Sequence, residues 1–193
     1  MTETRAAQPE QDERALVLAA QRGDRNAFRT LYEHYCNRLN SLIFYTLGDP
    51  VWAEDVLQIV FIKIYKGLPG FRFQSSLMTW MYRIALNECL NQQQRRGVAH
   101  VPFEEILGSG DEFDRAALPD LVHADRERRE IIAQAVMELS PKLRAVVILK
   151  YVEGLSYDEM AEVLECSPGT VASRLSRALR QLEARLRPFK RIL

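Results

Sequence analysis

Along DRNAFRTLYEHYCNRLNSLIFYTLG, Phe28, Leu31, Tyr32, Tyr35, Leu39, Leu42 and Ile43 recur every three or four positions, with polar residues between them. That period places the apolar side chains on one face of an α-helix. Gly48-Asp49-Pro50 punctuates its end, and the shorter ERALVLAAQRG predicts a helix before it. The next run, VWAEDVLQIVFIKIYKGL, is apolar on more than one face, which predicts burial on one side and a partner on another. Val56, Val60 and Tyr65 are assigned to its buried side. LPGFRFQSS then breaks the pattern. Pro69-Gly70 reads as a loop and Ser75-Ser76 as a helix cap, so a fourth helix is expected from about Leu77 to Arg96.

From residue 98 to 125 the chain mixes Gly, Pro, Ser and acids with few periodic apolar positions, the composition of a flexible linker. Helical periodicity resumes in RERREIIAQAVMEL and SPKLRAVVILKYVEG, where Ser140 is the expected N-cap and Pro141 the first helical residue. No stretch sustains the two-residue alternation of a strand, and no segment repeats. The expected fold is all-α: a helical domain over 1–97, a linker over 98–125, and a second helical domain over 126–193.

The last two helices lie in LSYDEMAEVLECSPGTVASRLSRALRQL. Ser156 and Glu159 have capping-box spacing, and the helix they begin is expected to bury Tyr157, Met160, Ala161 and Leu164. Ser167 caps the next helix, which is expected to bury Val171, Leu175, Ala178, Leu179 and Leu182. Helix, short turn and helix on two supporting helices is the helix-turn-helix pattern. In it the second helix enters the major groove N-terminus first, so Thr170, Ser173 and Arg174 reach bases or phosphates and Arg177 reaches the backbone. Small residues at that end let the helix approach. The competing reading is a plain four-helix bundle with a solvated basic face.

Charge sharpens the choice. The chain has 26 basic and 26 acidic residues, yet its segments differ: 12 basic and 10 acidic in 1–97, 1 and 7 in 98–125, 13 and 9 in 126–193. Arg174 to Leu193 carries seven basic residues against Glu183 alone, and a local field of that kind is what a phosphate backbone meets. No apolar run approaches the roughly 20 residues that span a bilayer, and MTETRAAQPEQDERA lacks the apolar core of a signal peptide, so a cytoplasmic protein without membrane insertion is expected. Cys36, Cys89 and Cys166 are spaced as reduced thiols. His34, His100 and His123 form no catalytic or metal-binding constellation, so neither an enzyme nor a cofactor or small-molecule substrate is expected.

SPGTVASRLSRALRQL resembles the GTV-x-SR-x-x-RA signature of bacterial sigma factors of the extracytoplasmic-function (ECF) group. AEDVLQIVFIKIY resembles that family's AED-x-x-Q-x-x-F helix, and TWMYRIALN its W-L-Y-R-I-A-x-N helix. The three motifs stand in the family's order and cover nearly all of the chain.

The resemblance implies a factor whose N-terminal domain binds the clamp of core RNA polymerase and opens the −10 promoter element as single-stranded DNA. Its C-terminal domain would read the −35 element as duplex. Asp55, Gln58 and Phe61 would contact polymerase. Arg72, Phe73, Gln74, Ser75 and Ser76 would hold a flipped base, with Arg83 and Asn87 near the strand; the loop interleaves rings and cations as single-stranded DNA requires. Ser167, Pro168, Gly169, Thr170, Ser173, Arg174 and Arg177 would meet the −35 duplex. Trp80 is assigned to the core. The acidic linker would thread the polymerase channels, and an anti-sigma factor would hold the protein inactive until a stress signal. Ile59 departs from the family's Glu, and Ala172 and Ser176 from its larger or basic residues. Glu165 stands where many helix-turn-helix proteins place Gly. A stand-alone helix-turn-helix regulator is the alternative function, and Cys166, just before a helix, the candidate thiol sensor.

Overall fold

The computed structural model describes residues 7–96 and 126–189, so the expected linker lies outside the described residues. Among the described residues there are eight α-helices and no strand: α1 Ala7–Gln21, α2 Arg25–Leu47, α3 Pro50–Gly67, α4 Leu77–Arg96, α5 Arg126–Met137, α6 Pro141–Tyr151, α7 Tyr157–Val163 and α8 Pro168–Leu186.

The boundaries have local causes. Asp24 caps α2 by accepting from the Asn26 and Ala27 amides at 2.8 and 3.2 Å. Gly48 ends α2 in the left-handed region at φ 77°, its N–H bonded to Phe44 O at 2.7 Å. Asp49 then caps α3 through the Trp52 amide at 2.9 Å, with Pro50 first in the helix. Ser76 caps α4, accepting from the Thr79 amide at 3.0 Å. The Ser156–Glu159 capping box of α7 is complete. Ser140 precedes α6 as expected, but its side chain makes no capping hydrogen bond.

Helices α1 to α4 enclose Leu31, Leu39, Leu42, Ile43, Val60, Ile64 and Met81; α5 to α8 enclose Leu139, Ile148, Leu149, Met160, Val171 and Leu175. Four residues expected inside are exposed instead. Tyr32 and Tyr65 stand on the rim of the α2–α3 surface, where a phenol keeps its hydroxyl in water; Tyr65 packs edgewise on Phe28 and Tyr32 lies tilted on Phe61. Tyr157 opens α7 with the Lys150 ammonium over its ring, and Leu179 sits at the edge of the α8 stripe, 40% exposed. Leu164 and Leu182 are half-buried.

The two halves meet directly, α2 packing on α6 and α4 on α7. Arg144 of α6, itself buried, donates to Thr46 O of α2 at 2.8 Å, to Leu139 O at 3.2 Å and to Met137 O. Gly48 lies at the same seam: a Cβ there would stand 3.0 Å from the Met137 sulfur. Glu153, just past α6, accepts from the Tyr82 hydroxyl of α4 and lies 3.5 Å from Arg38 of α2.

Candidate nucleic-acid and partner interfaces

The start of α8 is built from short side chains bonded to their own backbone. Ser167 accepts from the Thr170 amide at 3.2 Å and shares a hydroxyl bond with Thr170 at 2.9 Å, while Ser173 donates to Thr170 O at 3.0 Å. Pro168 occupies the first turn and a Cβ on Gly169 would meet only the Ser167 Oγ, at 3.9 Å, so no large side chain stands in front of the helix. Ser167, Pro168, Gly169, Ser173 and Arg177 are exposed; Thr170 and Arg174 are half-buried. Arg177 leans on Ser173 O at 3.4 Å, and Arg174 Nη1 lies 3.7 Å from the half-buried Cys166 Sγ. Ala172 and Ser176 add no bulk. The turn before α8 carries Glu165 at φ 49°, which lets the Cys166 N–H reach Ala161 O at 3.1 Å. Holding a non-glycine residue in this left-handed region costs about 1–2 kcal/mol.

The second group of candidates follows α3. Phe71 is buried, its ring 5.0 Å from Phe73 and 5.2 Å from Trp80. Trp80 is half-buried against the core, as assigned. Phe73 is the other non-glycine residue at positive φ among those described, at 57°. Arg72, Gln74 and Ser76 are exposed and Ser75 is half-buried, so the loop offers a row of polar groups beside a fixed aromatic cluster. Asn87 is exposed on α4. Arg83 turns toward the helix-turn-helix, its Nε 3.8 Å from Glu165. The packed arrangement thus brings one −10 candidate against the turn that leads into the −35 candidates.

On α3, Asp55 and Gln58 are exposed, whereas Phe61 is buried with its ring against Tyr32. Ile59, the departure from the family motif, is half-buried. Ile62 and Tyr65, 54% and 51% exposed, continue the line of Asp55 and Gln58 at helical spacing. The result is a stripe with acidic, amide and apolar character, and sequence reasoning missed its last two members because Tyr65 was assigned inward. Alternation of exposed and buried apolar residues on a helix that is apolar all round carries no mark of which ones a neighbour covers.

Buried ionisable groups serve the scaffold. Burial opposes charge on Glu88, but hydrogen bonds from Lys63 and Gln92 overcome it and lower its pKa. Burial, then the bond to Glu153, raises that of Tyr82. Burial pushes the Cys89 thiol up, keeping it protonated, and pulls Arg144 down to about 10. Among the described residues no group of three or more His, Cys, Asp and Glu side chains could hold a metal ion, and no helix is long and apolar enough to cross a membrane.

Comparison with known proteins follows the same division. Residues 31–98 match the family model described as Sigma-70 region 2, and residues 129–182 the one described as Sigma-70, region 4. The RNA polymerase sigma-H factor of Pseudomonas aeruginosa is 38% identical over 189 residues, spanning 94% of this chain and 97% of that one. The ECF RNA polymerase sigma-E factor of Escherichia coli (strain K12) is 32% identical over 188 residues, spanning 93% and 96%. Among solved structures, the sigma factor RpoE of Bartonella quintana, in complex with the anti-sigma factor NepR, aligns with a TM-score of 0.63 at 25% identity over 83% of this chain and 96% of that one. CnrH, solved with the cytosolic domain of CnrY, shares the fold with a TM-score of 0.65 at 24% identity over 91% and 97%.

Proposed function

The chain belongs to the extracytoplasmic-function group of bacterial RNA polymerase sigma factors, and on that premise we propose that it binds core RNA polymerase and directs promoter-specific initiation. The observation that carries this reading is the pair of sigma-70 regions in order along one chain, region 2 within 31–98 and region 4 within 129–182. Sigma factors are initiation factors, and this one acts by binding, in the cytoplasm, with no chemistry or cofactor of its own.

Each half has a division of labour. The first, 1–97, docks on polymerase through the exposed Asp55–Gln58 stripe of α3, with Phe61 beneath it, and reads single-stranded −10 DNA through Arg72, Phe73, Gln74, Ser75, Ser76, Arg83 and Asn87. The second, 126–193, lays α8 on −35 duplex through Ser167, Pro168, Gly169, Thr170, Ser173, Arg174 and Arg177. Short side chains and an exposed Gly169 at the front of α8, with arginines behind, support approach to a groove and grip on phosphates. Segment 98–125 joins the halves as an acidic tether.

An anti-sigma factor holds the protein inactive until a stress signal, as NepR binds the Bartonella relative. The direct packing of α2 on α6 and α4 on α7 supports control by selection between packed and separated halves. Transcription in vitro with purified core polymerase and fragmented genomic DNA tests the central proposal. The expected result is a set of discrete transcripts that start only when this chain is added; none on any template would overturn it.

A further inference from the structure

Phe73 cannot hold its backbone unaided. A bulky aromatic residue at φ 57° is strained, and strain of this kind persists only where the surroundings over-determine it. Those surroundings come from α1. The side-chain amide of Gln21, at the end of that helix, donates to Leu68 O at 3.0 Å and to Phe71 O at 2.8 Å. A primary amide has two hydrogens, and both are used on the chain entering the loop. About two turns earlier, the Arg14 guanidinium lies 4.3 Å from the centre of the Phe73 ring, and Phe71 closes in at 5.0 Å. The left-handed residue is thus clamped at its ring by one α1 side chain, and the chain leading to it by another.

We propose that Gln21 and Arg14 are positioning residues for base recognition: they fix Phe73 in its left-handed conformation, which aims Gln74 and Ser75, beside Ser76 at the head of α4, at an extruded base. The inference rests on the reading of this loop as the −10 contact. Release of φ at Phe73 to an ordinary value would rotate the following peptide and swing the polar row away from its target. Contact with the strand's phosphates would survive, since exposed arginines make it without a fixed loop. Arg14 also places a planar cation at the edge of the site, a group on which a base stacks as well as on a ring.

The test uses holoenzyme assembled from core polymerase and full-length chain, presented with a pool of single-stranded DNA randomised over six positions between fixed arms. Wild-type holoenzyme should enrich a defined base at one or more positions. Gln21→Met, close in size but without donors, and Arg14→Ala should reduce enrichment at one position by about fivefold or more, the effect of losing one ordinary interaction. Enrichment elsewhere, affinity for core polymerase and recovery of the arms should stay level, which a general loss of folding would not allow. Arg14→Lys, which keeps the cation, should restore part of the selection. If Phe73→Ala flattens a profile that Gln21→Met and Arg14→Ala leave intact, the positioning role is refuted while the loop reading stands. If wild type selects no base at all, both fall together.

Discussion

The phenol of Tyr82 on α4 donates its hydrogen bond to the carboxylate of Glu153, 71 residues further along the chain and on the other side of the seam between the two halves. Arg38 approaches the same carboxylate at 3.5 Å, and the Glu153 side chain is only 6% exposed. One acid therefore ties α2 and α4 to the end of α6. Tyr82→Phe keeps the ring and removes the bond. A hydrogen bond to a buried charge is worth about 1.5–3 kcal/mol, so the packed arrangement should lose roughly tenfold to hundredfold in population. Energy transfer between one dye on each half reads the change; an unaltered distance distribution would count against the tie.

Arg144 should matter more for the same seam. Its guanidinium serves three backbone carbonyls, and Arg144→Met would remove that donor from all three, leaving Thr46 O with Gln93 alone at 3.3 Å, at a cost of about 2–5 kcal/mol. Arg144→Lys should rescue little, because one ammonium cannot span the three. Chemical denaturation followed by circular dichroism would measure both, and a lysine variant as stable as wild type would show that charge alone suffices.

Glu88 sets an acid limit. Its pKa is lowered in the folded chain, so its contribution is present above the ordinary carboxylate value, about 4.3, and is lost as pH falls through the lower folded value. Glu88→Gln should lower the melting temperature at pH 7 and leave a flatter decline between pH 5 and pH 3. Parallel curves for the two proteins would remove Glu88 from the acid transition.

Arg174→Ala should weaken binding to promoter duplex and reduce the slope of log affinity against log salt by about one, the signature of a single lost phosphate contact. Fluorescence anisotropy across a salt series is sufficient. An unchanged slope would take Arg174 off the phosphate and leave its Cys166 contact as its role.

Much of the helical framework was legible because its signals are local. Gly48, Ser156 with Glu159, and Ser167 announce helix ends by capping chemistry that needs only three or four neighbouring residues. The seam was not legible. Arg144 in PKLRAVVILKY looks like one more basic residue on a helix, and only the approach of Thr46 makes it a buried donor. Periodicity told that α3 is apolar on several faces but not which face a neighbour covers, hence the misplacement of Tyr65. Residues of the expected DNA-binding sites were visible through their motifs, whereas the left-handed turn at Phe73 has no Gly or Asn to betray it, and its supports lie on α1.

The seam is generic at one end and particular at the other. Arg144 addresses the main-chain carbonyl of Thr46, a group every sequence supplies, whereas Glu153 needs a phenol at 82 and a cation at 38. Chimeras that graft one half of this protein onto the other half of a relative should therefore dock at the α2–α6 end and gape at the α4–α7 end. The two halves have to be inherited as a matched pair, however separate their tasks.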